Sequence, residues 1–363
     1  MHIKRTRLAA AATATAMTVL LASCSSSGSG GGAASGAAGK TAGASGDQVV
    51  IGVAMKTQLE RRWTFDVAAM QAEANKIGVK LLVQYANNDP NAQSSQVENL
   101  LSQGVKALII TPVDSKAAAT SAKTAKSQGV PVVAYDIGIQ GTAIDYEVIR
   151  DNPQVGVLQA QAALKFASSG NYAIIGGDPA NDVAQAIHSG QSTTLSGKGP
   201  TVVYDQFTKN WDPATALRTA EGVLTKNSDK VAAFLTANDG MASSAVKALQ
   251  ARNLAGKVFV SGLDGNPENL KFIDQGFQTM SVWTQIDKQG TIAVDVAKQL
   301  AQGQPVQADT SVDNGSGSKI PARVAPVVAI DKANLCDFVN TIAPKGWVTA
   351  NEAFANPADC PAK

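Results

Sequence analysis

The chain has 363 residues, 44% of them hydrophobic and 17% charged, with 31 basic against 29 acidic side chains and a net charge of +2. This is the composition of a globular protein long enough for two domains of ordinary size. No basic block occurs and aromatics make up 5% of the chain, which argues against nucleic acid as a partner.

At the start of the chain, Lys4, Arg5 and Arg7 precede an apolar stretch, 8–21, that ends in Leu21-Ala22-Ser23-Cys24. A basic start, an apolar middle and small residues at a cleavage point make residues 1–23 an export signal. The apolar run is short and rich in Ala and Thr, so a permanent membrane-spanning helix is not expected. Removing its three basic residues leaves 28 basic against 29 acidic, a net of −1. Residues 24–47 are almost entirely Ser, Gly and Ala, a composition that buries no core and reads as a tether. The signal resembles that of bacterial lipoproteins, in which the cysteine, here Cys24, is lipidated and becomes the mature N-terminus. That implies an extracytoplasmic protein anchored to the cell membrane. An ordinary signal with a chance cysteine is the alternative. With Cys24 carrying lipid, Cys336 and Cys360 remain as a pair in an oxidising compartment, where a disulfide would tie the tail, 346–363, to the last helix. Two unrelated thiols are the other reading.

From residue 49 onward, short apolar runs alternate with amphipathic stretches. Strands are expected over 49–55, 80–85, 107–111 and 130–136, with helices over 63–77, 92–102 and 117–127. Gly78, Gly104 and Gly129 stand just past successive helices, where a left-handed glycine is favoured. The rhythm restarts after Asp151. Helices are expected over 153–167, 183–195, 213–226, 241–250, 267–275 and 287–302, with strands over 172–176, 201–207, 232–237, 258–262 and 279–283. A last apolar strand is expected over 324–330. Continuous Val/Ile/Leu strands separated by helices imply parallel sheets covered on both faces. The expected fold is α/β, two doubly wound parallel-sheet lobes between which the chain crosses more than once.

In open α/β sheets, ligands collect beyond the carboxyl ends of the strands. The polar residues at those ends are Asp136, Asp178, Asn238, Asp239 and Asp264. Each could equally be a helix N-cap, and Asn238-Asp239 and Asp264-Gly265-Asn266-Pro267 both fit that role. The chain has no G-x-x-x-x-G-K-[S/T] loop, G-x-S-x-G elbow or H-E-x-x-H pair, and only His188 remains after the signal. It is not expected to be an ATPase or an enzyme, or to hold a cofactor or metal.

One ordered set of pieces carries a resemblance. It begins with Glu60-Arg61-Arg62-Trp63, Gln96-Val97-Glu98-Asn99-Leu100 and Ala134-Tyr135-Asp136. Gly170-Asn171-Tyr172, Gly176-Gly177-Asp178-Pro179 and Asp205-Gln206 with Trp211 and Pro213 follow. Asn238-Asp239, Ser261-Gly262 with Asp264, Gln278-Thr279-Met280 and Asp309-Thr310 with Asn314-Gly315 complete it. In this order and spacing, residues 49–333 resemble the type I periplasmic sugar-binding proteins of bacterial ABC transporters, most closely the xylose-binding branch. The resemblance implies a type I periplasmic-binding-protein fold with a three-segment hinge. Its N-terminal lobe would be 48–147 plus 284–316 and its C-terminal lobe 148–283 plus 317–345, with crossings near 145–149, 282–285 and 314–321. It also implies that Trp63 and Trp211 sandwich a sugar ring while Arg62, Asp136, Asn238 and Asp264 hold its hydroxyls, with Asp182 and Asp239 as further contacts. That chemistry suits a sugar, whose C–H faces stack on indoles and whose hydroxyls both donate and accept. Core packing is the plain alternative for each tryptophan.

Several positions depart from the xylose-binding pattern. Lys56 and Thr57 replace acidic residues, Ile137 replaces an arginine, and Asp182 and Val183 replace paired asparagines. Thr284 replaces a basic residue at the hinge, with Gln285 able to reach the same space, and His188 replaces an arginine. An unpaired buried polar group costs about 1–3 kcal/mol, so these changes bear on which ligand fits. The implied ligand is neutral, xylose or a related pentose or polyol. A monomer would present it to a membrane permease that a cytoplasmic ATPase drives. A sugar sensor feeding a membrane receptor kinase would share fold and pocket. A DNA-binding regulator of similar lobes would need a helix-turn-helix where this chain has a signal.

Overall fold

The computed structural model describes residues 48–361; the expected export signal, Cys24 and the expected tether lie outside them. The first half runs β1 (Val50–Met55), α1 (Arg61–Ile77), β2 (Lys80–Tyr85), α2 (Pro90–Ser102), β3 (Ala107–Ile110), α3 (Ala118–Ser127), β4 (Val132–Tyr135) and β5 (Tyr146–Arg150). There follow α4 (Asn152–Phe166), β6 (Gly170–Gly176), α5 (Asp182–Leu195), β7 (Pro200–Phe207), α6 (Pro213–Lys226), β8 (Ala233–Thr236), α7 (Asp239–Gln250), β9 (Phe259–Leu263), α8 (Pro267–Asp274) and β10 (Met280–Thr284). Then come α9 (Ile286–Ala301), β11 (Thr310–Asp313), β12 (Lys319–Ala325) and β13 (Val327–Asp331).

These strands form two sheets, ordered β11-β12-β5-β4-β3-β1-β2 and β13-β10-β9-β8-β6-β7. Pairing is parallel except for β11 on β12 and β13 on β10. Side chains alternate across the first sheet, as the pleat requires. Ile51, Val53 and Met55 pack with Ala293, Val294 and Ala297 of α9, while Ala54, Leu108 and Ile110 pack with Leu100 and Ala122 of α2 and α3. The apolar runs that predicted strands are therefore buried because helices cover both faces. The chain crosses between sheets after Arg150, after Thr284 and after Ala325.

The third crossing corrects the expected lobe boundaries. The apolar run over 324–330 reads as one strand but is two. Val324 and Ala325 pair with Ile149 and Arg150 in the first sheet, whereas Val327 pairs with Thr284 in the second. Pro326 lies between them and has no N–H to give a ladder, so the run breaks there and changes sheets. The strand Lys319–Ala325, expected in the second lobe, belongs to the first. Beyond β13, Leu335, Phe338, Trp347 and Phe354 pack with Trp283 and Leu270, and Cys336 and Cys360 form a disulfide.

Two features set where α5 begins, and so where the second lobe meets the first. A Cβ on Gly156 of α4 would lie 2.0 Å from Ile187 O, and one on Gly190 of α5 2.1 Å from Pro153 O. The two backbones are in contact, which only glycine allows. At the start of α5, Asn181 Nδ2 donates to Val113 O (2.7 Å), Ser115 N donates to Ala180 O (3.0 Å), and the Asp182 carboxylate accepts from Gly138 N (3.0 Å) and Ser115 Oγ (3.3 Å). A second carboxylate, Glu147 of β5, approaches the same point, because a Cβ on Gly138 would lie 2.4 Å from Asp182 Oδ2 and 3.4 Å from both Glu147 oxygens. Burial, with the neighbouring Asp182 charge, pushes Glu147 up to about 8. Burial likewise pushes Asp182 up to about 6, against the hydrogen bonds it accepts.

Gly156→Ala is expected to overpack this helix pair and lower stability by about 1–3 kcal/mol, read as a fall in the urea midpoint. The raised carboxyls carry a sign: the folded protein holds protons that the unfolded chain has released, so stability falls as pH rises from 4.5 through about 8. The urea midpoint measured across that interval should fall, and Glu147→Gln should make the slope shallower.

Candidate functional site

The carboxyl ends of β1, β4 and β5 face those of β8 and β9 across the gap between the lobes, enclosing about 290 Å³ that includes the open mouth. Helix α1 starts at Arg61, two residues earlier than expected, which puts Arg62 and Trp63 in its first turn. Arg62 is held from behind: Nε donates to Asp66 Oδ2 (3.2 Å), one turn along, and Asp66 also accepts from the Tyr135 hydroxyl. In front, Nη2 donates to Asp136 Oδ1 (3.0 Å) and Nη1 stands 4.0 Å from Asp264 Oδ1. Burial disfavours its charge, yet Asp136, Asp66 and Asp264 hold the guanidinium protonated well above the usual arginine range.

The two acids come from equivalent places in the two lobes. Asp136 follows β4 and its N–H donates to Val148 O (2.8 Å) of β5; Asp264 follows β9 and its N–H donates to Val282 O (2.8 Å) of β10. Both adopt positive φ, 64° and 109°, as does Trp211 at 55°. Non-glycine residues rarely do so, and such strain gathers at functional sites. Burial would raise Asp136, but Arg150 and Arg62 outweigh it and its carboxyl sits below the ordinary value. Asp264 is farther from both arginines, and burial pushes it up to about 8.

Arg150 is the functional residue that sequence reasoning missed. It ends β5 at the first crossing and is 4% exposed. Nη2 lies 3.4 Å from Asp136 Oδ2 and Nη1 4.0 Å from Asp264 Oδ1, while Nη1 donates to Thr284 Oγ1 (3.3 Å) and Nε to Asn152 Oδ1 (2.8 Å). The signal for it was an arginine closing the apolar pair Val148-Ile149, a run too short to be read as a strand. Lys56, noted only as a departure, is also in the cavity. Its ammonium lies 5.9 and 5.8 Å from the ring centroids of Trp63 and Trp211 and 3.6 Å from Glu60. Both distances are within cation–π range.

The structure brings Arg62, Trp63, Asp136, Trp211, Asn238 and Asp264 to one cavity, together with Ile137, Val183 and Leu263. Trp211 Nε1 donates to Asn181 Oδ1 (3.0 Å), and its ring lies where a Cβ on Gly177 would be 2.3 Å away, so residue 177 must be glycine. Asp178 accepts from Asn210 N and fixes that turn. Asn238 caps α7, its Oδ1 accepting from Met241 N (3.0 Å), so it is both cap and cavity wall.

Two expected contacts are corrected. Asp182 lies outside the cavity because its oxygens are spent on Gly138 and Ser115 at the lobe interface. Asp239 also lies outside: it accepts from Asn266 N (2.8 Å), Ser281 Oγ (2.8 Å) and Gln278 Nε2 (3.2 Å), bracing the turn that presents Asp264. His188 pairs with Asp205 (2.7 Å) away from the cavity. Buried polar atoms almost always have partners. At the site, Arg62 Nη1, Trp63 Nε1 and Asp136 Oδ2 have no hydrogen-bond partner within the protein, although Asp136 Oδ2 is ion-paired to Arg150 and Arg62 Nη1 stands 4.0 Å from Asp264. Hydrogen-bonding capacity is thus left on residues that line the cavity.

The periplasmic binding protein domain profile matches residues 51–305. The D-xylose-binding periplasmic protein of Escherichia coli is 36% identical over 297 residues, covering 80% of this chain and 89% of that protein. Its Haemophilus influenzae counterpart is 34% identical over 294 residues, covering 80% and 88%. Among solved structures, a carbohydrate transporter solute-binding protein from Chloroflexus aurantiacus, in complex with D-glucose, superposes with a TM-score of 0.77 at 27% identity, covering 86% of this chain and 99% of that one. The Caulobacter myo-inositol binding protein, bound to myo-inositol, gives 0.70 at 27%, covering 80% and 96%. These relatives are binding proteins, not enzymes, and they share the two-lobed parallel α/β architecture. The chain belongs to the periplasmic binding protein family.

Proposed function

We propose that this protein is the extracytoplasmic solute-binding component of an ABC transporter, anchored by lipid on Cys24. It captures a monosaccharide, xylose or a related pentose or polyol, and delivers it as a monomer to a membrane permease powered by a cytoplasmic ATPase. One observation carries the reading: an indole from each lobe flanks a cavity that two arginines and two carboxylates line, with Arg62 Nη1 and Asp136 Oδ2 lacking a hydrogen-bond partner. Sugar C–H faces stack on Trp63 and Trp211. Arg62 Nη1 donates to a hydroxyl and Asp136 Oδ2 accepts from one. Asp264, whose carboxyl burial pushes up to about 8, stands 4.0 Å from both arginines and offers its oxygens to a further hydroxyl. The Lys56 ammonium gives way to the ring and serves its edge. Because the ligand touches both lobes, it binds the closed form more tightly, and that difference drives closure about the three crossings. The relatives named for D-xylose and the neighbours holding D-glucose or myo-inositol support the sugar class.

A thermal-shift screen of the purified protein against pentoses, hexoses and polyols should yield at least one ligand that raises the melting temperature. A hundredfold excess over Kd contributes about 2.7 kcal/mol. Trp211→Ala should weaken that ligand by about 2 kcal/mol or more, roughly thirtyfold. A folded protein that no sugar stabilises would sink the reading. Cys24→Ser should move the protein from the membrane to the soluble fraction; an unchanged membrane fraction would remove the lipid anchor.

A further inference from the structure

We infer that the sugar presents an edge bearing no hydroxyl to the sealed end of the cleft, so that the ligand is a pentopyranose or a 6-deoxyhexose. A hexose with a free hydroxymethyl group, or a cyclitol hydroxylated at every carbon, fits poorly. This rests on the sugar-binding reading and narrows its ligand class.

The cavity is chemically lopsided. Ile137, Val183 and Leu263 line it and are 2%, 1% and 1% exposed. The hydrogen bonds from Gly138 N to the Asp182 carboxylate, 3.0 and 3.1 Å, hold Ile137 and Val183 beside each other across the lobe gap, since each is the chain neighbour of a bonded residue. Asp182 and Asn181 beside them are already used, and Glu147, whose Oε1 has no hydrogen-bond partner, stands by Gly138 and is not among the residues that line the cavity. Asp182 accepts from Gly138, Ser115 and Val183, while Asn181 accepts from Trp211 Nε1 and donates to Val113 O. The Ser115–Ala180 and Asn181–Val113 bonds close this end. Among the cavity-lining residues, the atoms that lack a hydrogen-bond partner, Arg62 Nη1, Trp63 Nε1 and Asp136 Oδ2, belong elsewhere, and Arg62 and Asp136 form the charged cluster with Arg150 and Asp264.

A hydroxyl placed against Ile137 and Val183 would lose water and gain no partner there. Leaving one polar group unpaired costs about 1–3 kcal/mol, a factor of about 5–150 in affinity. A ring methylene or a methyl group meets the same wall at no such cost and buries apolar surface on it.

Titration calorimetry on the full protein with matched sugars tests this: D-xylose and 6-deoxy-D-glucose each against D-glucose, 6-deoxy-D-galactose against D-galactose, and myo-inositol. In the pair that binds, the member lacking the hydroxyl should bind at least about fivefold tighter, and myo-inositol should bind more weakly than either pentose or deoxyhexose. Val183→Asn, and separately Val183→Thr, should shrink that ratio by offering the hydroxyl a partner, with melting temperatures confirming that both variants fold. Equal or tighter binding of the hydroxylated member overturns the inference while leaving sugar binding intact. So does a ratio unchanged in both folded variants. If the folded parent binds none of these sugars, the sugar-binding reading itself falls.

Discussion

Four charges buried at the junction of two lobes form the constraint on which the rest depends. Arg62 and Arg150 each face Asp136 and Asp264 within 4.0 Å; the arginines and Asp136 are buried, and Asp264 is 10% exposed. Taking such groups out of water costs several kcal/mol apiece unless each is matched in place. The chain meets that demand by the same device twice. In each lobe an aspartate follows an interior strand at positive φ, and its N–H is tied to the neighbouring strand, β5 in one lobe and β10 in the other. Those two strands are two of the three from which the chain leaves its sheet, ending at Arg150 and Thr284. Ligand pairing and lobe geometry are therefore set by the same few bonds.

Around the cluster stand carboxylates that touch no ligand position but keep the site in shape. Asp239 braces the turn carrying Asp264, Asp178 fixes the turn carrying Trp211, and Asp182 ties the start of α5 to the first lobe. Gly177 and Gly138 are the spatial counterparts of these braces, empty where any side chain would displace an indole or a carboxylate. A site held this way is ordered before the ligand arrives, so less of the interaction free energy is lost to ordering on binding.

Most of the architecture was legible in the sequence because its strands are short apolar runs punctuated by glycines and caps. Asp89, Asp151 and Asp212 cap helices that begin with proline at one of the first two positions, and Gly78 closes α1 in the left-handed conformation. What escaped detection did so for physical reasons. Strand β5, Tyr146–Arg150, sets Glu147 and Arg150 on either side of only two aliphatic residues, yet both charged residues are buried, so its pattern looks like a surface loop. The break at Pro326 sits inside a run of apolar residues whose two ends have different partners, which periodicity alone does not reveal. At the site, Asp136, Asn238 and Asp264 were readable as polar residues at strand ends, whereas the two tryptophans came from the resemblance. Asp182 and Asp239 carry the same outward signal, and only their saturated hydrogen bonding separates them from the cavity.

The positions that depart from the xylose-binding pattern make sense together. The resemblance places an arginine at 137 and a basic group at 284, and this chain has Ile137 and Thr284 there. Losing both cations would leave Asp136 and Asp264 with Arg62 alone, an uncompensated charge in a buried place. Arg150 supplies the second guanidinium, and its bond to Thr284 Oγ1 puts it beside the position that the basic group vacated. With compensation moved to the base of the cleft, residue 137 no longer needs to be charged. Val183, where the resemblance places an asparagine, follows Asn181 and Asp182, whose side chains are already hydrogen-bonded. The apolar wall and the buried arginine are compatible: Arg150 pairs with Asp136 and Asp264 at the hinge, and Ile137 and Val183 bring no charge to the sealed end. A ligand that matches this cleft carries its hydroxyls toward the hinge and its bare edge toward Ile137 and Val183.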